Sequence, residues 1–106
     1  MKEEYFFHDT RLGISVPSLQ KDWDDYGERT QQSILLLWEG VRGRIPDRIS
    51  TIEEEISHIL TEMSNEHDFK RTCRLNAEIA DLASIITDLL IWYRKQELFM
   101  DNKVLV

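Results

Sequence analysis

The sequence predicts an all-α fold, an antiparallel bundle of three helices with an extended N-terminal arm, doubled into a homodimer. The 106 residues include only two prolines and four glycines, which leaves room for long helices. Apolar residues recur at steps of three or four in three successive segments, as along one side of a helix. Capping and helix-breaking residues separate these segments. The chain divides into an arm at residues 1–17, a helical domain at 18–100 and a tail at 101–106.

The N-terminal arm has no helical period. Its aromatic residues Tyr5, Phe6 and Phe7 and the apolar run from Leu12 to Val16 flank a polar turn. A β-hairpin fits this pattern, but two isolated strands are marginally stable in water. We interpret the segment as an extended arm that packs its aromatic rings on a helix of this chain or of a partner.

The first predicted helix begins after Pro17, with Ser18 as its N-cap. Gly40 and Gly43 favour its end, and Pro46 prevents its continuation. Its apolar stripe consists of Leu19, Trp23, Tyr26, Thr30, Ile34, Leu37 and Val41.

The second predicted helix begins with the capping box formed by Ser50 and Glu53, or one turn earlier with Asp47 as the cap. It ends near residues 64–65. Its apolar seam consists of Ile49, Ile52, Ile56, Ile59 or Leu60, and Met63.

The third predicted helix runs from Asp68 to about Phe99, which at 1.5 Å per residue is about 45 Å long. Its seam consists of Leu75, Ile79, Leu82, Ile86, Leu89 and Tyr93. Further apolar residues on other sides of this helix need more neighbours than two helices of one chain provide. We therefore predict a two-fold homodimer. The predicted interface residues are Ile85, Leu89 and Trp92 with Tyr5, Phe6 and Phe7 of the arm.

Charge and cysteine content exclude several classes of protein. The net charge of −7 argues against nucleic-acid binding and against an anionic membrane surface, and favours a basic protein partner. The apolar run from Leu82 to Tyr93 is too short to span a bilayer. Cys73 is the single cysteine, and the first residues lack the pattern of a signal peptide. We expect a cytoplasmic protein.

A basic turn joins the first two helices. Arg42, Arg44 and Arg48 surround it, and arginine side chains bind carboxylates and phosphates in a bidentate manner. The turn is a candidate anion-binding site. Alternatively, Arg42 and Arg44 offset the negative end of the first helix while Arg48 pairs with nearby glutamates.

Acidic side chains of the second and third helices form a candidate metal site. Glu55 and His58 share one helix face, as do Glu78 and Asp81. Facing carboxylates could hold Mg²⁺, a hard ion that prefers oxygen ligands. The alternative is two solvated faces, because each acidic residue also has an ordinary place in a helix.

The run Glu78-Ile79-Ala80-Asp81-Leu82 resembles the ExxD half of the all-α nucleoside triphosphate pyrophosphohydrolases of the MazG and dUTPase type. Those small helical proteins form dimers or tetramers and hold Mg²⁺ with an ExxE pair on one helix and an ExxD pair on a later one. In this chain the earlier pair would be Glu55 and His58, which gives ExxH. The resemblance covers about 35 residues.

These observations favour a small helical interaction or regulatory protein that has no catalytic residues and needs no cofactor. The alternative is a Mg²⁺-dependent nucleoside triphosphate pyrophosphohydrolase, in which Glu55, His58, Glu78 and Asp81 hold the metal.

Overall fold

A computed structural model describes residues 5–95 of the chain. The protein is mostly helical, with two long helices and a small two-stranded sheet. In chain order the elements are β1 (Phe6–Asp9), β2 (Ile14–Pro17), a 3₁₀ helix (Trp23–Asp25), α1 (Glu28–Arg42), α2 (Ile45–Ser64) and α3 (Phe69–Arg94). None of the helices in this part of the chain has both the length and the apolar character needed to cross a bilayer.

The N-terminal segment is a β-hairpin rather than an extended arm, so the all-α prediction needs correction at this end. β1 and β2 pair antiparallel, with His8 opposite Ser15. The turn closes at Gly13, whose φ of 77° suits glycine and whose amide donates to the Asp9 carbonyl at 2.7 Å. Ile14 and Val16 are buried. Packing of this face on the rest of the protein supplies the stability that an isolated hairpin lacks.

α1 begins about ten residues later than predicted. Ser18 caps no helix, and Gly27 precedes the first turn instead. The Tyr26 hydroxyl accepts hydrogen bonds from the amides of Gln20 and Lys21, both at 3.2 Å. These bonds satisfy backbone N–H groups that a helix would otherwise have paired. The apolar stripe in the sequence does not predict such side-chain bonds. The predicted end near Gly43 is confirmed.

α2 begins at Ile45, which places the predicted capping box of Ser50 and Glu53 inside the helix. No side chain caps its first turn, but Ile45 is fully buried and Pro46 is favourable at the start of a helix. Burial of Ile45 therefore outweighs the local capping signal.

The C-terminal end of α2 and the start of α3 agree with the sequence. α2 ends at Ser64, and the Asp68 carboxylate accepts a hydrogen bond from the Lys70 amide at 3.3 Å, which caps α3. The predicted continuation of the third helix to Phe99 and the tail at 101–106 lie outside the described residues.

α2 and α3 form a long antiparallel hairpin, whereas a regular bundle of all three helices stays a prediction. α1 packs on β2 and on the C-terminal end of α3, where the Trp38 indole donates to the Lys95 carbonyl at 3.3 Å. We refer to the β-hairpin with α1 as the head. The base of the α2–α3 hairpin is the half that carries the head, and the tip is the half from Ile59 to Leu75.

The main core lies between the head and the base. It consists of Leu12, Ile14, Val16, Ile34, Trp38, Ile45, Ile52 and Leu89. At the tip only Ile59 and Leu75 are buried. The chain therefore has a well-packed end and an end where two helices cover only each other.

Candidate functional site

Arg42 joins α1 to α3 rather than facing an open anion site. Its Nε donates to the Tyr93 carbonyl at 2.7 Å, and its guanidinium lies 4.4 Å from the centre of the Tyr93 ring. Glu39 is 3.8 Å away on α1. These contacts place Arg42 in the packing between the head and the base.

Arg44 and Arg48 line a groove that Arg42 does not reach. Arg48 Nε donates to the Leu12 carbonyl at 2.9 Å, across the surface of Gly13. Arg44 is exposed at the N-cap position just before α2, and it makes no ion pair or hydrogen bond through its side chain within residues 5–95. The predicted three-arginine cluster is thus reduced to two members.

The groove has a volume of about 270 Å³ and lies between the β-hairpin and the corner that joins α1 to α2. Its polar lining consists of His8, Ser15, Arg44 and Arg48. A recess of about 150 Å³, lined by Phe6, Ser15, Leu37 and Val41, adjoins it through the shared residues Ser15 and Val41.

His8 was not among the predicted site residues. Alternation along a strand places Phe6 and His8 on one face of β1, and the register adds Ser15 of β2 to that face. This shared face can be predicted only if residues 6–17 are interpreted as a β-hairpin. The interpretation as an extended arm gave no reason to place His8 beside Ser15.

The candidate metal residues Glu55, His58, Glu78 and Asp81 are all exposed. Within residues 5–95 no group of three or more histidine, cysteine, aspartate or glutamate side chains is placed to hold a metal ion. The geometry thus adds no support to the magnesium hypothesis, which remains a prediction from the sequence.

Three other acidic side chains of the α2–α3 hairpin form ion pairs. Asp88 pairs with Arg11 of the head at 2.8 Å. At the tip, Arg71 pairs with Glu62 at 2.7 Å and with Glu66 at 2.6 Å. Salt bridges this exposed contribute little stability individually.

The predicted interface residues of α3 pack within the chain. Leu89 is fully buried in the core and therefore does not reach the surface. Trp92 packs edge-on against Trp38 with ring centroids 5.6 Å apart, and Ile85 is half-buried against the core. The head covers this side of α3, which the helical period of α3 alone could not show.

The three aromatic residues of the N-terminal segment have different environments. Tyr5 packs edge-on against Tyr26, with centroids 5.7 Å apart. Phe6 is half-buried beside the core, whereas Phe7 is 60% exposed. Of the three, Phe7 is the one most available for contact with another molecule.

A second, partly exposed apolar surface runs along the α2–α3 hairpin. Its residues follow one another at steps of three, four or seven, so they form one stripe on each helix. We refer to this surface as the open face: Ile49, Ile56, Leu60 and Met63 of α2 with Ile79, Ala83, Ile86 and Leu90 of α3. The head contacts α2 through Arg48 and α3 through Asp88 and Trp92, which are not members of these stripes, whereas Ile49, Ile56 and Ile86 also pack against the core.

Exposure along the open face is uneven, and its residues are only partly covered within the described part of the chain. Leu60 is 52% exposed, Ala83 is exposed, and the other six residues are half-buried. Most of these residues belong to the helix seams predicted from the sequence, whereas the predicted interface on α3 was Ile85, Leu89 and Trp92. Those three residues pack in or against the core of the chain.

Comparison with known proteins finds no matching family model, no significantly similar curated protein and no significantly similar solved structure. The chemistry and exposure of the residues described above are therefore the basis for assigning a function.

Proposed function

We propose that the protein is a cytoplasmic, non-enzymatic interaction protein that forms a homodimer through the open face of the α2–α3 hairpin. The observation that carries this proposal is Leu60, a large apolar side chain that is 52% exposed within a stripe of half-buried apolar residues. Isolated exposed leucines are common on protein surfaces, but a continuous apolar stripe along two helices indicates a contact surface.

Energetics favour covering this surface. Transfer of apolar surface out of water stabilises by about 25 cal/mol for each Å². At the tip, Ile59 and Leu75 bury themselves between only two helices, so Leu60 and Met63 have water on one side. A second pair of helices would remove this surface from water.

A second copy of the chain provides a partner of matching shape. In a two-fold dimer the same patch is used by both subunits, so an apolar stripe on one copy meets an equivalent stripe on the other. Two α2–α3 hairpins packed in this way form a four-helix bundle. The small side chain of Ala83 lets the helices approach closely near the centre of α3.

Two alanines of α3 allow a matched test. Ala83 lies on the open face, whereas Ala77 is exposed on another side of the same helix. We expect sedimentation equilibrium to give a dimer for the unchanged protein and for Ala77→Glu, and a monomer for Ala83→Glu. Ala83→Glu would bury an unpaired carboxylate in the interface, and the cost of removing that charge from water opposes association. Circular dichroism checks that both variants keep their helices.

Two outcomes would contradict the dimer. One is a monomeric mass for the unchanged protein at micromolar concentration. The other is a dimer that Ala83→Glu leaves intact, which would move the interface to a surface other than the open face.

The pyrophosphohydrolase alternative has its own assay. We expect no release of pyrophosphate from a panel of nucleoside triphosphates with Mg²⁺ above that of the Asp81→Asn variant. Asp81 is exposed, so this substitution leaves the fold intact. Turnover that the substitution abolishes would show that the protein is an enzyme.

A further inference from the structure

The groove beside the β-hairpin combines a cationic end with an apolar end. One wall is a single face of the hairpin, which contributes Phe6, His8 and Ser15. The other wall runs along the end of α1 and the start of α2. Its side chains follow at steps of four, three and four: Leu37, Val41, Arg44 and Arg48. Apolar and basic residues thus occupy opposite ends of both walls.

The basic end is pre-organised by the fold. Arg48 is held by its hydrogen bond to the Leu12 carbonyl, which occupies Nε and leaves the two terminal nitrogens as donors. Gly13 permits this position, because a Cβ there would lie 2.7 Å from Arg48 Nε. His8 and Ser15 are cross-strand neighbours, so the rigid hairpin sets their separation.

The described lining of this end carries positive charge without an acidic neighbour. Among residues 5–95 no aspartate or glutamate lines the groove, although the chain as a whole carries a net charge of −7. Arg42 already lies against the end of α1 and Tyr93, so Arg44 is not needed there. Arg44 and Arg48 instead flank the first turn of α2, where the helix dipole is positive and favours an anion.

We propose that this groove binds a small organic anion, whose carboxylate or phosphate lies among Arg44, Arg48 and His8. The apolar part of the ligand occupies the adjoining recess against Phe6, Leu37 and Val41. Arginine donors suit both kinds of anionic group, and an imidazole donates an N–H in either charge state. This site is independent of the open face and of the proposed dimer, since it lies in the head and at the corner before α2.

Four simple probes test the two ends of the groove separately. In ¹H–¹⁵N correlation spectra of the full chain, hexanoate and hexyl phosphate should cause saturable shifts at Ser15, Val41 and Arg44. Hexanol lacks the charge and inorganic phosphate lacks the alkyl chain, so each should bind at least tenfold more weakly. The relative affinities of hexanoate and hexyl phosphate identify whether a carboxylate or a phosphate is the natural group.

Substitutions assign the binding to this groove. Arg44→Gln should weaken hexanoate at least tenfold, and because Arg44 is exposed it leaves the core unchanged. Arg71→Gln removes a positive charge at the tip and should leave affinity unchanged. Leu37→Ala should weaken hexanoate and hexanol but not inorganic phosphate. Absence of saturable shifts, shifts centred elsewhere, or equal affinity in Arg44→Gln would overturn the proposal.

Discussion

The base and the tip of the α2–α3 hairpin are built from the same two helices but differ in how much they bury. At the base, Ile45, Ile52 and Leu89 are fully buried because the head packs on them. At the tip, Ile59 and Leu75 retain 9% and 4% exposure and have only each other's helices as cover. Helices of similar amphipathic character thus acquire different roles from their surroundings. The base with the head holds most of the buried apolar residues, whereas the tip buries only two and leaves Leu60 and Phe69 52% and 79% exposed.

Two leucines of α3 test this difference with the same chemical change. Leu89→Ala should lower the free energy of unfolding by about 4–5 kcal/mol, since a fully enclosed site cannot collapse around the cavity. Leu75→Ala should cost about 2–3 kcal/mol, because side chains at the tip can move into the space. Urea denaturation at low protein concentration measures both. Equal losses would show that the two ends are packed equally well.

The base further depends on the turn of the β-hairpin. Gly13→Ala should lower the free energy of unfolding by about 2 kcal/mol, because the residue has a positive φ and the new Cβ would displace Arg48. Gly40→Ala is the matched control in α1: nothing lies within 4 Å of its added Cβ. There we expect a gain of about 1 kcal/mol from helix propensity. A neutral effect at Gly13 would mean that the contact between hairpin and base adds little.

The smallest expected effect concerns the tip. The Asp68 amide, with the His67 amide and Arg71, lowers the pKa of Glu66 below its ordinary value of 4.5. A group with a lowered pKa in the folded state stabilises the fold above its unfolded pKa, and this stability is lost as the pH falls through the folded value. Glu66→Gln should therefore lower the urea midpoint slightly at neutral pH. The difference should shrink as the pH falls below the ordinary pKa of 4.5 and through the lowered pKa of the folded state.

Glu54→Gln supplies the control for charge alone, because Glu54 is exposed on α2 and forms no ion pair within the described residues. A shift that persists unchanged at low pH in Glu66→Gln would show that the carboxylate is not its source.

Sequence periodicity was a reliable guide where a helix depends on its own residues. The end of α1 near Gly43, the end of α2 at Ser64 and the cap of α3 at Asp68 all agree with local signals. Local signals failed at residues 18–27, where the stripe continues but the Tyr26 hydroxyl and backbone turns take the place of a helix. They failed again at Ser50, because burial of Ile45 draws the start of α2 toward the N-terminus.

The candidate sites were less accessible to prediction. A cationic site near the α1–α2 turn was expected, but the structure separates Arg42 from Arg44 and adds His8, which is 36 residues from Arg44 in the sequence. Apolar α3 was expected to form an interface, but the head covers Leu89 and Trp92 and leaves Ala83 and Leu90 open. Which residues form a site or an exposed surface depends on which face of each helix packs against another element.

The sequence by itself determined that the chain is mostly helical and where α2 ends and α3 begins, because periodicity and capping act between residues close along the chain. Only the tertiary structure decided that the N-terminal segment is a hairpin, that α1 packs on it, and which side of α3 remains uncovered. Each of these results comes from burial between distant segments, such as the core shared by Ile14 and Ile34 and the contact of Trp38 with Trp92. The hydrophobic effect is non-directional. An apolar stripe therefore predicts that one face of a helix is buried, but it does not predict which element buries it.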